Sequence, residues 1–304
     1  MVTELVDVAL GERRALLLRL RDGDLVGEGE ACPLPGYSPD TVDEARAALE
    51  GRGPSTPAAE MAAFAARLDL DGKKRGRPAH ALLGATRDRL PVAALVADLD
   101  AAAAAWARGV RAFKVKLGRD AAVELPLLSA LRRRYPDAEL RLDANGRAVD
   151  TAALSAFAPI YLEEPLGSPG PIPLALDESL QRLPDDAVAA RLARGEIAAL
   201  VLKPMTLGPE RCFALARLAA SHGVPVTVTH TFDGPLALAA AAALALALPG
   251  RVLAVGLYRH AGLSAWPPAR IAAVDEGDGD GDAKGDGDIR ATNTPGLGVS
   301  WGAR

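Results

Sequence analysis

Cysteine is nearly missing from this chain. Cys32 and Cys212 are the whole supply, and they lie far apart without the spacing of a metal site. A reduced, cytoplasmic setting is the expectation. No apolar run is long enough to span a bilayer comfortably. The longest, PLALAAAAALALALP, is short, bounded by proline, and reads as a buried helix. The first residues, MVTELVDVAL, lack the basic start and apolar core of a signal peptide. Nor is there surplus positive charge: the net charge of −4 leaves no footprint for nucleic acid. Lysine is scarce within the basic residues. Of 35, only Lys73, Lys74, Lys114, Lys116, Lys203 and Lys284 are lysine. In a chain dominated by Ala, Arg, Gly and Pro, a lysine marks a position where arginine will not serve. Arginine keeps its proton at any useful pH, whereas a buried lysine can release it. Lys73 and Lys74, in LDGKKRGR, read instead as a solvated loop.

What is present is length and apolar content. The 304 residues, 49% of them hydrophobic, suffice for a large barrel or two domains. From about residue 91, β-rich segments alternate with Ala/Leu/Arg helical stretches. The segments are PVAALVA (91–97), AFKVKL (112–117), LRLDA (140–144), IYLEE (160–164), PLALDE (173–178), ALVLKP (199–204), PVTVTH (225–230) and RVLAVGL (251–257). Eight strand–helix units predict an α/β fold, a (β/α)8 TIM-type barrel over 91–275. One unit is defective. Between the fourth and fifth strands lies only LGSPGPIP, too rich in Pro and Gly for a helix, so that helix is expected to be missing or reduced. Residues 1–90 read as an α+β capping domain. An antiparallel meander with turns near Gly11 and RDGD is followed by a helix capped by Ser38, Asp40 or Thr41, and by a second helix over STPAAEMAAFAARLDLDG. The tail, 289–304, looks strand-like and is expected to return to that domain. Residues 276–288, EGDGDGDAKGDGD, are low in complexity. Asp282, Asp286, Gly287 and Ile289 fit a calcium loop, but Lys284 and Asn293 spoil two ligand positions, and the segment reads as an acidic loop without fixed structure.

Polar residues interrupt the apolar strands near their C-terminal ends, where barrels place function. The second strand carries Lys114 and Lys116, the third Asp143 and Asn145, the fourth Glu163 and Glu164. The fifth carries Asp177 and Glu178, the sixth Lys203, and the seventh ends at His230. By the period of two, Lys114 and Lys116 share a face, whereas only one of each adjacent acid pair can face the barrel mouth. A single acid–lysine pair would be an ordinary ion pair on a barrel rim. One inward carboxylate from each of three consecutive strands, bracketed by lysines on the second and sixth, is a different matter. Such acids repel unless a cation sits among them, and oxygen donors without His or Cys suit a hard ion such as Mg²⁺.

The strand-end motifs KVK, LDAN, LEEP, LDES and LKP, in this order, resemble those of the enolase superfamily. A lysine on the sixth strand is similar to its muconate-lactonizing-enzyme-like branch. GEGEACPLPGYSPDTVDEA resembles the capping-domain loop of o-succinylbenzoate synthases, GPSTPAAEMAAFAA their next segment, and RHAGLSAW, more weakly, a loop after the eighth strand. The resemblance implies Asp143, Glu163 and Asp177 as Mg²⁺ ligands, with Asn145 and Glu178 supporting them. It implies Lys116 as acid/base, Lys114 as its support, and Lys203 on the opposite face of the substrate. Pro35 and Tyr37 of the 31–38 loop are implied as substrate contacts. His230, which departs from the branch's pattern, reads as a rim or substrate-contacting residue.

The implied chemistry is removal of a proton α to a carboxylate, giving an enediolate. A free lysine, with a pKa of about 10.4, is a poor base at neutral pH, so Lys114 is expected to tune Lys116 downward. The implied reaction is Mg-assisted syn dehydration of 2-succinyl-6-hydroxy-2,4-cyclohexadiene-1-carboxylate to o-succinylbenzoate, on the way to menaquinone. Two lysines on opposite faces also suit an N-acylamino acid racemase or a dipeptide epimerase. VGLYRHAGL, with no acid to hold an α-ammonium group, disfavours the epimerase. A non-catalytic binding barrel is the reading of another class. The expected partner is a small carboxylate, with no membrane or nucleic acid. A homo-oligomer is left open, since a second copy could cover the gap of the missing helix.

Overall fold

The structure, a computed structural model, describes residues 2–275 and 287–302. The acidic segment 276–288, with its calcium-loop reading, falls outside the described residues up to 286. Strands β1 (Val2–Leu10), β2 (Arg13–Asp22) and β3 (Leu25–Ala31) form the antiparallel meander, turning at Gly11 and Gly23. Helix α1 (Val42–Leu49) starts at Thr41. Of the three candidate caps this one wins because its hydroxyl accepts from the Glu44 amide while the Glu44 carboxylate accepts from the Thr41 amide. Helix α2 (Pro57–Arg75) is capped by Thr56 and lays its alanines on β3. The approach is so close that a Cβ at Gly29 would stand 2.1 Å from the Ala62 carbonyl oxygen, so GEGEA needs its glycines. Helix α3 (Ala79–Leu82) and β4 (Arg89–Pro91) lead into the barrel.

The barrel strands are β5 (Ala93–Leu95), β6 (Ala112–Lys116), β7 (Glu139–Asp143), β8 (Tyr161–Glu163), β9 (Leu174–Leu176), β10 (Ala199–Leu202) and β11 (Val226–Val228), all parallel and in sequence order. The eighth stave, 251–257, is irregular. It bridges β11 at Val252 and at Gly256, with the register slipping by one residue between the two bridges, and it reaches Val92 through Val255. Backbone bonds from Val255 to the Pro91 carbonyl (2.7 Å) and from Gly256 to that of Val228 (2.8 Å) close the ring. Outside it lie α4 (Leu99–Ala107), α5 (Ala121–Arg134) and the five-residue α6 (Thr151–Ser155). No helix stands between β8 and β9, as the prolines and glycines of that connection require. The series resumes with α7 (Ser179–Arg182), α8 (Asp185–Ala193), α9 (Pro204–Leu207), α10 (Pro209–Ser221) and α11 (Pro235–Ala247).

The apolar run of the sequence is α11, buried from Pro235 to Leu246, and no helix among the described residues is long and apolar enough to cross a membrane. It belongs to a core that runs from β2, β3 and α2 into α10, so cap and barrel share one apolar interior. At the end of the chain, β12 (Ala269–Ile271) pairs with β14 (Val299–Trp301), and β13 (Asp288–Arg290), beyond α12 (Ala272–Asp275), pairs with β4. The tail therefore does not join the β1–β3 sheet as a strand. It touches it through Trp301, whose indole donates to Glu28 (2.9 Å). Inside the barrel the residues are small, Ala93, Ala112, Ala175, Ala199 and Ala254, and the space is taken by Arg141 and Tyr161.

Candidate active site

Period-two geometry brings Lys114, Lys116, Asp143, Glu163 and Lys203 to one cavity of about 170 Å³ at the C-terminal ends of the strands. Asp143, Glu163 and Asp177 are only 1%, 1% and 3% exposed. Lys114 Nζ donates to Glu163 Oε2 at 2.6 Å and lies 2.8 Å from Asp143 Oδ2. Lys203 Nζ donates to Asp177 Oδ2 and to the Tyr37 hydroxyl. Burial opposes the Lys114 charge, but Glu163, Asp143 and Asp177 outweigh it and hold its pKa well above the usual lysine value. Asp143 is likewise held below the carboxylate range: burial is outweighed by Lys114 and by the Asn145 amide. Glu163 goes the other way, up to about 7, because burial and the charges of Asp143 and Asp177 exceed what Lys114 returns. Burial also raises Asp177 against the pull of Lys203.

Of the second acids, Glu164 turns away as alternation demands, whereas Glu178 lines the cavity and Asp177 lies buried behind it against Lys203. Glu164, with φ of +41°, accepts from the Asp177 amide (2.7 Å), the Ser179 amide (2.9 Å) and the Ser179 hydroxyl (2.6 Å). It thereby fixes the turn that carries Asp177. Glu178 Oε1 accepts from the Tyr37 hydroxyl (3.1 Å) and the Asn145 amide group (3.4 Å), while its Oε2 is buried without a partner.

Lys114 and Lys116 part company in a way alternation does not foretell. Lys114 is committed to two carboxylates rather than set free to act on its neighbour. Lys116 lines the cavity, and among the described residues its amine has no hydrogen bond or ion pair. Pro35 is a correction: it is exposed in a turn and does not line the cavity, whereas Leu34 and Tyr37 do. Tyr37 lies over Lys203, whose Nζ is 4.7 Å from the ring centre, and burial with the Asp177 and Glu178 charges keeps its phenol protonated. His230 lines the cavity, in contact with the rings of His260, Phe232 and Tyr258. These three and Arg141 were missed. Arg141 shares the alternation of Asp143 on β7, a signal that was available. Tyr258, His260 and Phe232 stand on loops whose course no periodicity reports.

Magnesium can be tested against these residues. Among the described residues no three Asp, Glu, His or Cys side chains are drawn together to grip an ion. The ammonium groups of Lys114 and Lys203 stand among the acids instead. The donor chemistry nonetheless fits. Four acids, Asp143, Glu163, Asp177 and Glu178, face two ammonium groups, one carboxylate oxygen is orphaned, and Glu163 is pushed up to about 7. Buried oxygen donors with negative charge left over suit a hard dication.

The family described as Enolase C-terminal domain-like matches residues 97–303. An o-succinylbenzoate synthase of Yersinia pseudotuberculosis serotype O:3 (strain YPIII) is 30% identical over 303 residues, covering 88% of this chain and 83% of the relative. The muconate lactonizing enzyme from Pseudomonas putida superposes with a TM-score of 0.76 at 21% identity, over 99% of this chain and 96% of that one. A dipeptide epimerase from Methylococcus capsulatus, complexed with Mg and the dipeptide L-Arg-D-Lys, superposes with a TM-score of 0.75 at 25% identity, over 99% and 98%.

Proposed function

The chain belongs to the Enolase C-terminal domain-like family, in the muconate-lactonizing-enzyme-like branch of the enolase superfamily, and from that premise we propose that it is an o-succinylbenzoate synthase. Family membership makes it an enzyme of lyase or isomerase type with Mg²⁺ as cofactor, which removes the non-catalytic barrel from consideration. The finer reading is dehydration of 2-succinyl-6-hydroxy-2,4-cyclohexadiene-1-carboxylate.

Asp143, Glu163 and Asp177 would hold the ion. Bound Mg²⁺ supplies fixed positive charge where the substrate carboxylate gains negative charge. The rest belongs to the chain. The neutral amine of Lys116 takes the proton from C1, next to the carboxylate. The electron pair of that C–H bond becomes the ring double bond as the C6–oxygen bond breaks. The Lys116 ammonium returns its proton to the departing hydroxyl, releasing water and leaving an aromatic ring. Lys203, held by Asp177 and Tyr37, faces the other side of the substrate as a fixed cation. Arginine could stand for Lys203 electrostatically but not for Lys116.

One observation carries this reading over dipeptide epimerisation. The cavity wall made by His230, Phe232, Tyr258 and His260 contains no carboxylate to receive an α-ammonium group. An N-acylamino acid, which lacks that ammonium, is the surviving rival. Incubation of the Mg²⁺-loaded protein with the cyclohexadiene substrate should give o-succinylbenzoate at a kcat/KM of at least ~10⁴ M⁻¹s⁻¹, the lower end for enzymes. Faster deuterium exchange at the α-carbon of N-succinylamino acids, without dehydration, would replace the synthase by a racemase.

A further inference from the structure

We propose that His230 recognises the acyl carbonyl of the substrate, donating a hydrogen bond from Nε2, and that the turn 230–233 holds it in the tautomer this needs. The inference deepens the reading above and rests on it for the substrate.

The turn is built under strain. Phe232 sits at φ of +57°, a conformation that bulky side chains avoid, and it does so at the cavity edge. Five hydrogen bonds hold it. Arg13, reaching over from β2, donates to the Phe232 carbonyl at 2.7 Å and to that of Thr231 at 3.2 Å. The Thr231 amide and hydroxyl donate to Asp233 Oδ1 at 3.2 and 2.7 Å. His260 Nε2 lies 2.9 Å from the Asp233 carbonyl oxygen, and its ring packs on that of His230 with centroids 4.2 Å apart. The result is that the Phe232 amide is aimed back at His230 Nδ1, 3.0 Å away. An N–H pointing at Nδ1 makes that nitrogen the acceptor, so the ring proton of the neutral form is on Nε2.

The form is neutral. Burial, then His260, Lys203, Lys114 and Arg13, push His230 down to about 3. An imidazole that stays uncharged at physiological pH offers one donor and no proton for transfer. Nε2 has no hydrogen-bond partner among the described residues, and the half-buried ring lines the cavity. A single neutral donor, already surrounded by cations, suits an uncharged oxygen.

Both candidate substrate classes place one at the same distance from the reacting carbon. In the cyclohexadiene the ketone carbon is two bonds from C1. In an N-acylamino acid the amide carbon is two bonds from the α-carbon. One donor can therefore serve dehydration and racemisation alike, without rearrangement of the lysines.

The test uses Mg²⁺-loaded full-length protein and two ligands: o-succinylbenzoate, and 2-(3-carboxypropyl)benzoate, in which the ketone is a methylene. By calorimetry the wild type should bind the ketone roughly 10- to 100-fold more tightly. His230→Phe, which keeps a ring and loses the donor, should abolish that preference and leave the methylene ligand within about threefold of wild type. His230→Gln should restore part of it. In turnover, His230→Phe should raise KM more than it lowers kcat and leave the limbs of the pH profile in place. Equal weakening of both ligands, no weakening of either, or loss of a pH limb overturns the proposal. If the wild type binds neither ligand, the synthase reading fails and the comparison moves to deuterium exchange into N-succinylphenylalanine. There a KM raised about tenfold by His230→Phe supports the carbonyl contact, and an unchanged KM overturns it.

Discussion

At position 116, charge and basicity can be separated by substitution. Lys116→Arg keeps a cation at the cavity and removes the proton acceptor. The expected result is a kcat lower by about 10³-fold, within the range for general acid–base groups, with Mg²⁺ affinity changed only a few-fold. Activity within tenfold of wild type would show that Lys116 is not the base. The residues in this cluster were legible because charge inside an apolar strand is costly and period two gives it a direction. Lys114, Lys116, Asp143 and Glu163 all sit where that rule puts them. Two things were not legible. That Lys114 spends its charge on Asp143 and Glu163 depends on ångström-scale reach between β6, β7 and β8, which alternation does not encode. That Leu34, not Pro35, meets the cavity depends on the twist of one turn, closed by the Ser38 amide on the Leu34 carbonyl (2.9 Å).

Among the elements, the junction of β3 with α11 carries the sharpest pH dependence. Glu30 is fully buried at the start of α11, facing the amides of Gly234, Leu236 and Ala237, with Oε1 unpartnered. A Cβ at Gly234 would stand 2.4 Å from Glu30 Oε2, so only glycine lets the helix come this near. Burial and the charge of Asp233 raise Glu30 to about 8. A raised carboxyl favours the fold while protonated. Its contribution is complete below the ordinary glutamate pKa and is lost as pH climbs through about 8. Glu30→Gln, neutral throughout, should therefore gain stability relative to wild type between pH 6 and 8.5, by up to about 1.4 kcal/mol per pH unit in denaturant titrations. A difference that stays constant with pH would refute the assignment. Element identity was well marked in the sequence. Proline and glycine announced the absent helix after β8, and GEGEA with an alanine-rich partner fits the tight packing of β3 on α2. The eighth stave was placed correctly but not its one-residue slip, which no composition signals.

On the scale of the molecule, the α/β class and the order of the staves followed from strand–helix alternation alone. What alternation could not supply is how the cap meets the barrel. Arg13 on β2 donates to the Cys32 and Pro33 carbonyls on one side and to those of Thr231 and Phe232 on the other. The contacts to Thr231 and Phe232 join residues more than 200 positions apart. The tail, expected to complete the cap, adds no strand to the β1–β3 sheet, yet it docks on the cap through the Leu297 amide on Asp69 of α2 (2.9 Å), the Ala79 amide on the Gly296 carbonyl (2.8 Å) and Trp301 on Glu28 (2.9 Å). The unclad side of the ring has a consequence of its own. The connection between β8 and β9 is an irregular span in which Ile172 is tucked in while Leu166 is 69% exposed. Neighbouring β6 and β7 pack under α5. A wall lacking helical cladding is the seam where solvent gains its first breach. Amides of Tyr161–Glu163 and Leu174–Leu176 should thus take up deuterium ahead of those in Ala112–Lys116. Glu163 rides on that seam, so brief openings there would admit water to the heart of the pocket without unravelling the rest.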